Sequence, residues 1–390
     1  MSIPFRSRAL STVLTLTLAT WAPAAMAQAT YVLRDLGTLG GTSSFALDIN
    51  NLGQVTGNAQ TVTGQPAPRL NTFLWNEPGP MVNLGVLPGS NNFSRGYAIN
   101  DLGVVVGESD NNTSHAFVSA NGSMTGLTRL AGDNDRGVAH DINNNGVIVG
   151  ISSNGVASRP TRWVNGVASD LGSVDGLTTT TGRAWGLNEA GQAVGYSRRD
   201  TTSSVSQATL WSGNSAPLNL GSLLPDSFSE AFAINAAGTI AGVAVAGNTS
   251  SGTNIRQAVR WTFNGSAHAL QALGSMGRTF SEAKDINDAG QIVGFVTNIG
   301  GSPQRAFVYQ GGGMVDLNTF IDATSGFTLA TAEGINDRGD IVGWGRVGGQ
   351  THAYLLQAVP EPSSAALLLA GLLVAGLWRA RSPVKMKKSP

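Results

Sequence analysis

The chain has 390 residues, 24 basic and 24 acidic, a formal net charge of zero and no cysteine. Balanced charge without a basic stripe argues against a nucleic-acid partner, and the missing thiols exclude disulfides and thiolate metal sites. With only 12% charged residues and 51 glycines, stability must come from packing and strand pairing between many turns.

Residues 1–27 read as a secretory signal peptide. Arg6 and Arg8 form a positive n-region, and Ala9 to Trp21 an apolar h-region too short to span a bilayer comfortably. Ala25-Met26-Ala27 is a small-x-small site for signal peptidase, so the mature chain is expected to begin at Gln28.

Residues 28–358 carry an internal repeat. The stretch Asp141 to Gly150, DINNNGVIVG, has six near-copies, and the motif Asn stands at 50, 100, 143, 188, 235, 287 and 336. Locally it predicts a hairpin: a strand ending at Ile142, a tight turn over Asn143 to Gly146, and a returning β-branched strand from Val147. A third strand marked by an aromatic recurs in step, from Phe73-Leu74-Trp75 through Trp163, Trp211 and Trp261 to Tyr354. A fourth, Leu-Gly strand follows it, as at Asn83-Leu84-Gly85 and Asp170-Leu171-Gly172. Asn-Gly pairs at 121, 165 and 264 predict type I′ hairpins between the third and fourth strands.

Four short strands per unit, at successive spacings of 50, 43, 45, 47, 52 and 49 residues, predict an all-β chain folded as a seven-bladed β-propeller of four-stranded blades. The array opens on a Leu-Gly strand (Tyr31 to Gly37) and ends on an aromatic strand (Thr351 to Leu356). The ring is therefore expected to be closed by the N-terminal strand, which completes the last blade. An open β-solenoid of seven repeats is the alternative.

Taken together, the aromatic strands, the Asp-Leu-Gly-x-Leu-Gly-Gly element at Asp35 to Gly41 and the Ile-Asn-x-x-Gly hairpins resemble the HAF-repeat proteins. The literal tripeptide is His115-Ala116-Phe117, and the resemblance covers residues 31–356. It implies an extracellular location and brings no activity or ligand with it.

Counting back from each motif Asn, the fourth residue is Ala six times and Gly96 once, which marks a tightly packed face. The third and fifth residues back are large and variable, and strand alternation puts them on the opposite face. A binding surface is therefore expected around Arg95, Tyr97, His140, Arg183, Trp185, Glu230, Phe232, Glu282, Lys284 and Glu333. The alternative is that these residues fill the wedge between blades. The start of a calcium loop can be read in Asp141, Asn143 and Asn145, where oxygen side chains alternate before a glycine. Position twelve of that loop is Ser152 rather than Glu, so the competing reading is that these side chains satisfy turn amides and that the chain needs no cofactor. The four histidines, His115, His140, His268 and His352, are scattered, and no nucleophile elbow or zinc motif is present.

Residues 359–390 carry a second address. Pro360-Glu361-Pro362 precedes fourteen apolar or small residues, Ala365 to Trp378, and then a basic tail with Arg379 and Arg381. As a helix of about 21 Å the apolar run is shorter than a bilayer core of about 30 Å, and the basic flank places the repeats outside. This order resembles the PEP-CTERM sorting signal of Gram-negative bacteria. The resemblance implies transient membrane anchoring, removal of the tail by an exosortase-type membrane protease, and delivery to the cell surface or extracellular matrix. The expectation is a non-catalytic binding or adhesion propeller, whose partners are matrix polysaccharide or surface proteins. The alternatives are a polysaccharide-active enzyme and a purely structural surface protein.

Overall fold

The computed structural model describes residues 30–359, apart from 62–68, 91–92, 111–112, 175, 177–180, 199–204, 214 and 302. The expected signal cleavage site at Ala25 and Ala27, the sorting residues Pro360, Glu361, Pro362, Arg379 and Arg381, and the C-terminal apolar helix lie outside the described residues. Among the described residues no helix is long and apolar enough to cross a membrane.

The fold is all-β. Five sheets have four antiparallel strands each in sequential order, and one has eight. The large sheet resolves into two sets of four joined by a single parallel pairing of Ser43 with Thr351. One set is Gly40–Ile49 with the three strands that follow it. The other is Thr328–Ile335, Ile341–Val347, Gln350–Val359 and, antiparallel to the last of these, the N-terminal strand Thr30–Gly37. As the sequence led us to expect, the Leu-Gly strand before the first repeat pairs with the one that ends the array.

Each sequence repeat begins with an inner strand: Gly40–Ile49, Ser94–Ile99, Arg136–Ile142, Gly182–Leu187, Ser229–Ile234, Phe280–Ile286 and Thr328–Ile335 define repeats 1 to 7. The motif turn follows as predicted. In repeat 3 the Asn143 amide donates to Val147, the Gly146 amide donates back to Asn143, and Gly146 takes φ +73°. Alternation alone did not predict the bulge in every inner strand. In repeat 3, Ala139 pairs with Gly150 and Asp141 with Val149, so His140 is the extra residue. The extra residues elsewhere are Leu47, Tyr97, Trp185, Phe232, Lys284 and Glu333. This distortion explains the glycine that ends each motif. A Cβ on Gly150 would fall inside the van der Waals envelope of the Val138 carbonyl oxygen, and the same clash recurs at Gly57, Gly107, Gly195, Gly242, Gly294 and Gly343.

The small residues of the sequence pattern lie between sheets. Ser44, Ser94, Ser229 and Ser281 each accept the amide of a third-strand residue in the preceding repeat and donate to the carbonyl of its Leu-Gly glycine. Third-strand aromatics fill the layer beside them: Phe73, Phe117, Trp163, Trp261, Phe307 and Tyr354 are fully buried. Three indoles also donate to carbonyls of the preceding repeat, Trp163 to Thr128 at 2.6 Å, Trp211 to Gly172 at 3.0 Å and Trp261 to Leu220 at 2.9 Å. One apolar cluster joins Ala46, Phe73 and Trp75 of repeat 1 to Val342, Ala353 and Leu355 of repeat 7.

Two turns differ from expectation. Asn121-Gly122 and Asn165-Gly166 take the positive φ pairs of a type I′ hairpin, but Asn264 does not. Its loop spans four residues, and its side chain accepts the amides of Ser266 and Ala267, which holds φ out of the left-handed region. In repeat 6 the fourth strand ends at Asp316, and Leu317–Phe320 continue as a 3-10 turn capped by Asp316.

The seven motif asparagines form one cycle. Asn50 donates its side-chain amide to the carbonyl of Asn100, Asn100 to Asn143, Asn143 to Asn188, Asn188 to Asn235, Asn235 to Asn287, Asn287 to Asn336, and Asn336 to Asn50, at 2.8–3.2 Å. Each Oδ1 also accepts turn amides of its own repeat, as Asn143 does from Asn145 and Val147. Removing several buried hydrogen bonds at once gives the first prediction. Asn143→Ala lowers unfolding free energy in urea by roughly 2–4 kcal/mol. Asn143→Asp costs at least as much, because a carboxylate oxygen would then face the Asn188 carbonyl. Gly150→Ala, which must displace main chain, is the most damaging of the three.

Candidate functional site

The inner strands converge on a common axis. At their turn ends, six Ile-Asn pairs and Leu187-Asn188 of repeat 4 line a polar depression of about 320 Å³. Its rim is formed by the residue after each Asn. Asp101 accepts the amide of Asn51, Asn144 that of Asp101, Glu189 that of Asn144, Asp288 that of Ala236, Asp337 that of Asp288, and Asn51 that of Asp337. Ala236, with no acceptor, interrupts this outer tier.

One step inward stand Asp48, Asp141 and Asp285. Each carboxylate accepts the next amide of its own strand and one from the following repeat: Ile99 at 2.7 Å, Leu187 at 2.8 Å and Ile335 at 2.8 Å respectively. Burial pushes Asp141 up to about 7 and Asp285 up to about 6, against the pull of the amides they accept. Asp48 rises well above the ordinary range through burial and the charges of Asp285 and Asp141.

The three residues of the expected calcium loop are engaged locally. Asp141 spends its oxygens on two amides, Asn143 spends its Oδ1 on two more, and Asn145 donates to the Glu189 carbonyl. The three side chains thus bond main chain of their own repeat and of the next one. Among the described residues no group of three His, Asp or Glu is arranged to hold a metal.

The next tier holds the bulged residues. The bulge turns them toward the axis, where side chains from successive repeats meet. Tyr97 lies 5.4 Å from His140, His140 4.4 Å from Trp185, and Trp185 5.8 Å from Phe232, ring centroid to centroid. Lys284 Nζ sits 5.1 Å from the Phe232 ring and 2.6 Å from Glu282 Oε1. Burial alone would lower the Lys284 pKa, but Glu333, Glu282 and Glu230 together hold it above its ordinary value. Glu230 itself is pushed up to about 7 by burial and by Glu282. Arg183 lies over Trp185 at 4.5 Å, and Arg95 reaches Glu108 at 3.3 Å. All ten residues of the expected surface lie on inner strands, and those named here meet residues of neighbouring repeats.

Sequence reasoning missed their cross-strand partners. Arg95 pairs with Glu108, Arg183 with Tyr196, Glu282 with Phe295 and Thr331 with Trp344, each partner being the residue after the motif-ending glycine. That position is as variable as the others, and the variation was the signal. Glu108 is the chief omission: its side chain is fully buried and takes the Tyr97 hydroxyl at 2.7 Å and Arg136 at 3.0 Å. Burial alone would raise its pKa, but the Tyr97 hydroxyl and Arg136 hold it below the usual range. The other histidines stand apart. His115 bonds the Thr113 carbonyl, His352 pairs with Asp35, and His268 lies against Phe263.

Four-stranded sheets around a common axis place the chain in the β-propeller class. At its C-terminus, residues 358–382 match the PEP-CTERM protein-sorting motif, which marks an exported, surface-sorted protein. No curated protein matches the chain. Among solved structures it is similar to the β-propeller domain of the Trilobed protease from Pyrococcus furiosus, at 10% identity and a TM-score of 0.49, over 81% of this chain and 94% of that one. It is also similar to the Pyrococcus horikoshii acylaminoacyl peptidase, at 10% identity and a TM-score of 0.47, over 85% of this chain and 54% of that one.

The raised carboxylates set a pH dependence. A carboxylate whose folded pKa exceeds its unfolded value near 4 contributes stability that is present below that value and lost as pH rises through the folded one. Asp285, Asp141 and Glu230 place this loss between about pH 4 and 7. The thermal midpoint is expected to fall from pH 5 to pH 7.5, and to fall less in Asp141→Asn. An equal fall in the variant would exclude Asp141 as a source.

Proposed function

We propose that the chain is a seven-bladed β-propeller, its ring closed by the N-terminal strand, that serves at the cell surface as a non-catalytic binding module for extracellular polysaccharide. Membrane anchoring is transient, through the C-terminal segment before an exosortase-type protease removes it. The HAF-repeat resemblance and the sorting motif agree on an extracellular place of work.

One observation carries the binding reading. In a frame whose Ala, Asn and Gly positions repeat almost unchanged, the residues turned into the channel by the seven bulges differ at every repeat. Packing between identical blades would favour one residue type, whereas a ligand surface built on a symmetric ring needs different ones. Tyr97, Trp185 and Phe232 offer the flat apolar faces on which sugar rings stack.

A polysaccharide-active enzyme is the second reading, favoured by Glu230, Glu282 and Glu333, carboxylates from three repeats that gather about Lys284. The ion pair of Lys284 with Glu282 at 2.6 Å opposes it, since that carboxylate is engaged. Probing a glycan array with the full chain separates the two. The module reading expects retained, uncleaved glycan, a loss of at least about tenfold in affinity with Trp185→Ala, and binding unchanged by chelation of calcium. Release of reducing ends that disappears in Glu230→Gln would establish the enzyme instead.

A further inference from the structure

The upstream half of the channel is divided by charge. Repeats 2 to 4 bring Arg95, Arg136 and Arg183 to one wall, where the carboxylate facing them is Glu108, bonded to Arg95 and Arg136 at 3.3 and 3.0 Å. Three guanidinium groups against one carboxylate leave this wall positive. Arg183 is the least engaged of the three: among the described residues it makes no ion pair at contact distance, its hydrogen bond going to Tyr196 and its face to the Trp185 ring at 4.5 Å, while the charge of Glu230 in the next repeat acts on it. The wall cannot become neutral by losing protons, because arginine does not titrate in the accessible range. His140 adds no charge, since burial and the nearby Arg183 and Arg136 hold its pKa well below the ordinary value.

The same wall lacks acceptors. Arg136 Nε, Arg183 Nε and Trp185 Nε1 are buried donors without a partner, and His140 Nε2 beside them is buried and unpartnered in either tautomer. Buried polar atoms in a folded protein are almost always satisfied, so a group of orphans in one place calls for something supplied from outside. The guanidinium tips are within reach of solvent, the side chains of Arg95 and Arg136 being 39% and 40% exposed. Glu230, Glu282 and Glu333 of repeats 5 to 7 gather about Lys284 and disfavour an anion there, which orients it toward repeats 2 to 4.

We propose that Arg95, Arg136, His140, Arg183 and Trp185 form a carboxylate-recognition subsite, and that the polysaccharide bound here carries uronic acid residues. The inference rests on the binding-module reading and narrows its ligand. A guanidinium edge matches the two oxygens of a carboxylate in a planar, charge-assisted pair. A uronate presents that group on a ring whose C–H face suits the neighbouring aromatics Tyr97 and Phe232. A flexible acidic peptide offers the charge without the face, and the observations favour the sugar.

The test is calorimetric titration of the full chain with oligogalacturonate and with the same oligomer after methyl esterification, which removes the charge and little else. The acidic oligomer is expected to bind at least about tenfold more tightly, with affinity falling as salt rises. Arg183→Gln should abolish that preference, whereas Arg183→Lys, which keeps the charge without the fork, should retain part of it. Unchanged thermal midpoints show that the variants are folded, and a preference retained in a folded Arg183→Gln would overturn the assignment of Arg183. Equal binding of the ester overturns the anion inference and leaves the module reading standing, while binding of neither oligomer, with no glycan retained on an array, removes both. A glutamate peptide bound as tightly as oligogalacturonate would overturn the assignment to a sugar.

Discussion

The rest of the structure depends on a bulge of one residue in each inner strand. The bulge presses the carbonyl two residues before the extra one against the second strand, so only glycine can stand opposite, and this is why Gly150 and its six equivalents recur. The same distortion swings one large side chain per repeat into the axis. It also lets the strand end with its motif Asn placed to reach the next repeat. Frame and site therefore share a cause: without the bulge the asparagine cycle would lose its geometry and the channel its lining.

Cohesion between repeats is polar near the axis and apolar further out. The asparagine cycle, the Asp48, Asp141 and Asp285 carboxylates and the serines of four inner strands all bond main chain of a neighbouring repeat, while Trp163, Trp261 and their counterparts fill the wider part of the wedge. Such a division suits a disulfide-free chain outside the cell. Directional bonds fix the register of the repeats and buried aromatics supply area, with no need for a covalent clasp. The terminal strands follow the same rule, Ser44 bonding Gly37 on one and Ala353 on the other.

Charge on the inner strands is arranged differently. Asp141 and Asp285 sit where ionisation is disfavoured and are retained because they accept amides that would otherwise be orphaned. Glu108 is the opposite case, a fully buried carboxylate kept ionised by a tyrosine and two arginines. The cations of repeats 2 to 4 and the carboxylates of repeats 5 to 7 confer no evident packing advantage. They divide equivalent positions of the repeat into two chemically different sets, as the proposed recognition of a ligand would require.

The sequence by itself determined the repeat, its four strands, the turn chemistry of Asn143 to Gly146 and the pairing of the two terminal strands, because period, turn residues and the order of elements are local or additive properties. It also marked the variable positions, since seven internal copies expose what the frame does not constrain. It did not reveal the bulge, which is a shift in register between two strands and leaves alternation in either one nearly unchanged. Nor did it reveal Glu108, Arg136 or the charge division. Those depend on which residues of different repeats end up facing one another across an axis, and only the closing of the strands around that axis decided it. Nor did the sequence show what engages Asp141 and Asn145: their partners come partly from the next repeat, forty-odd residues away in the chain.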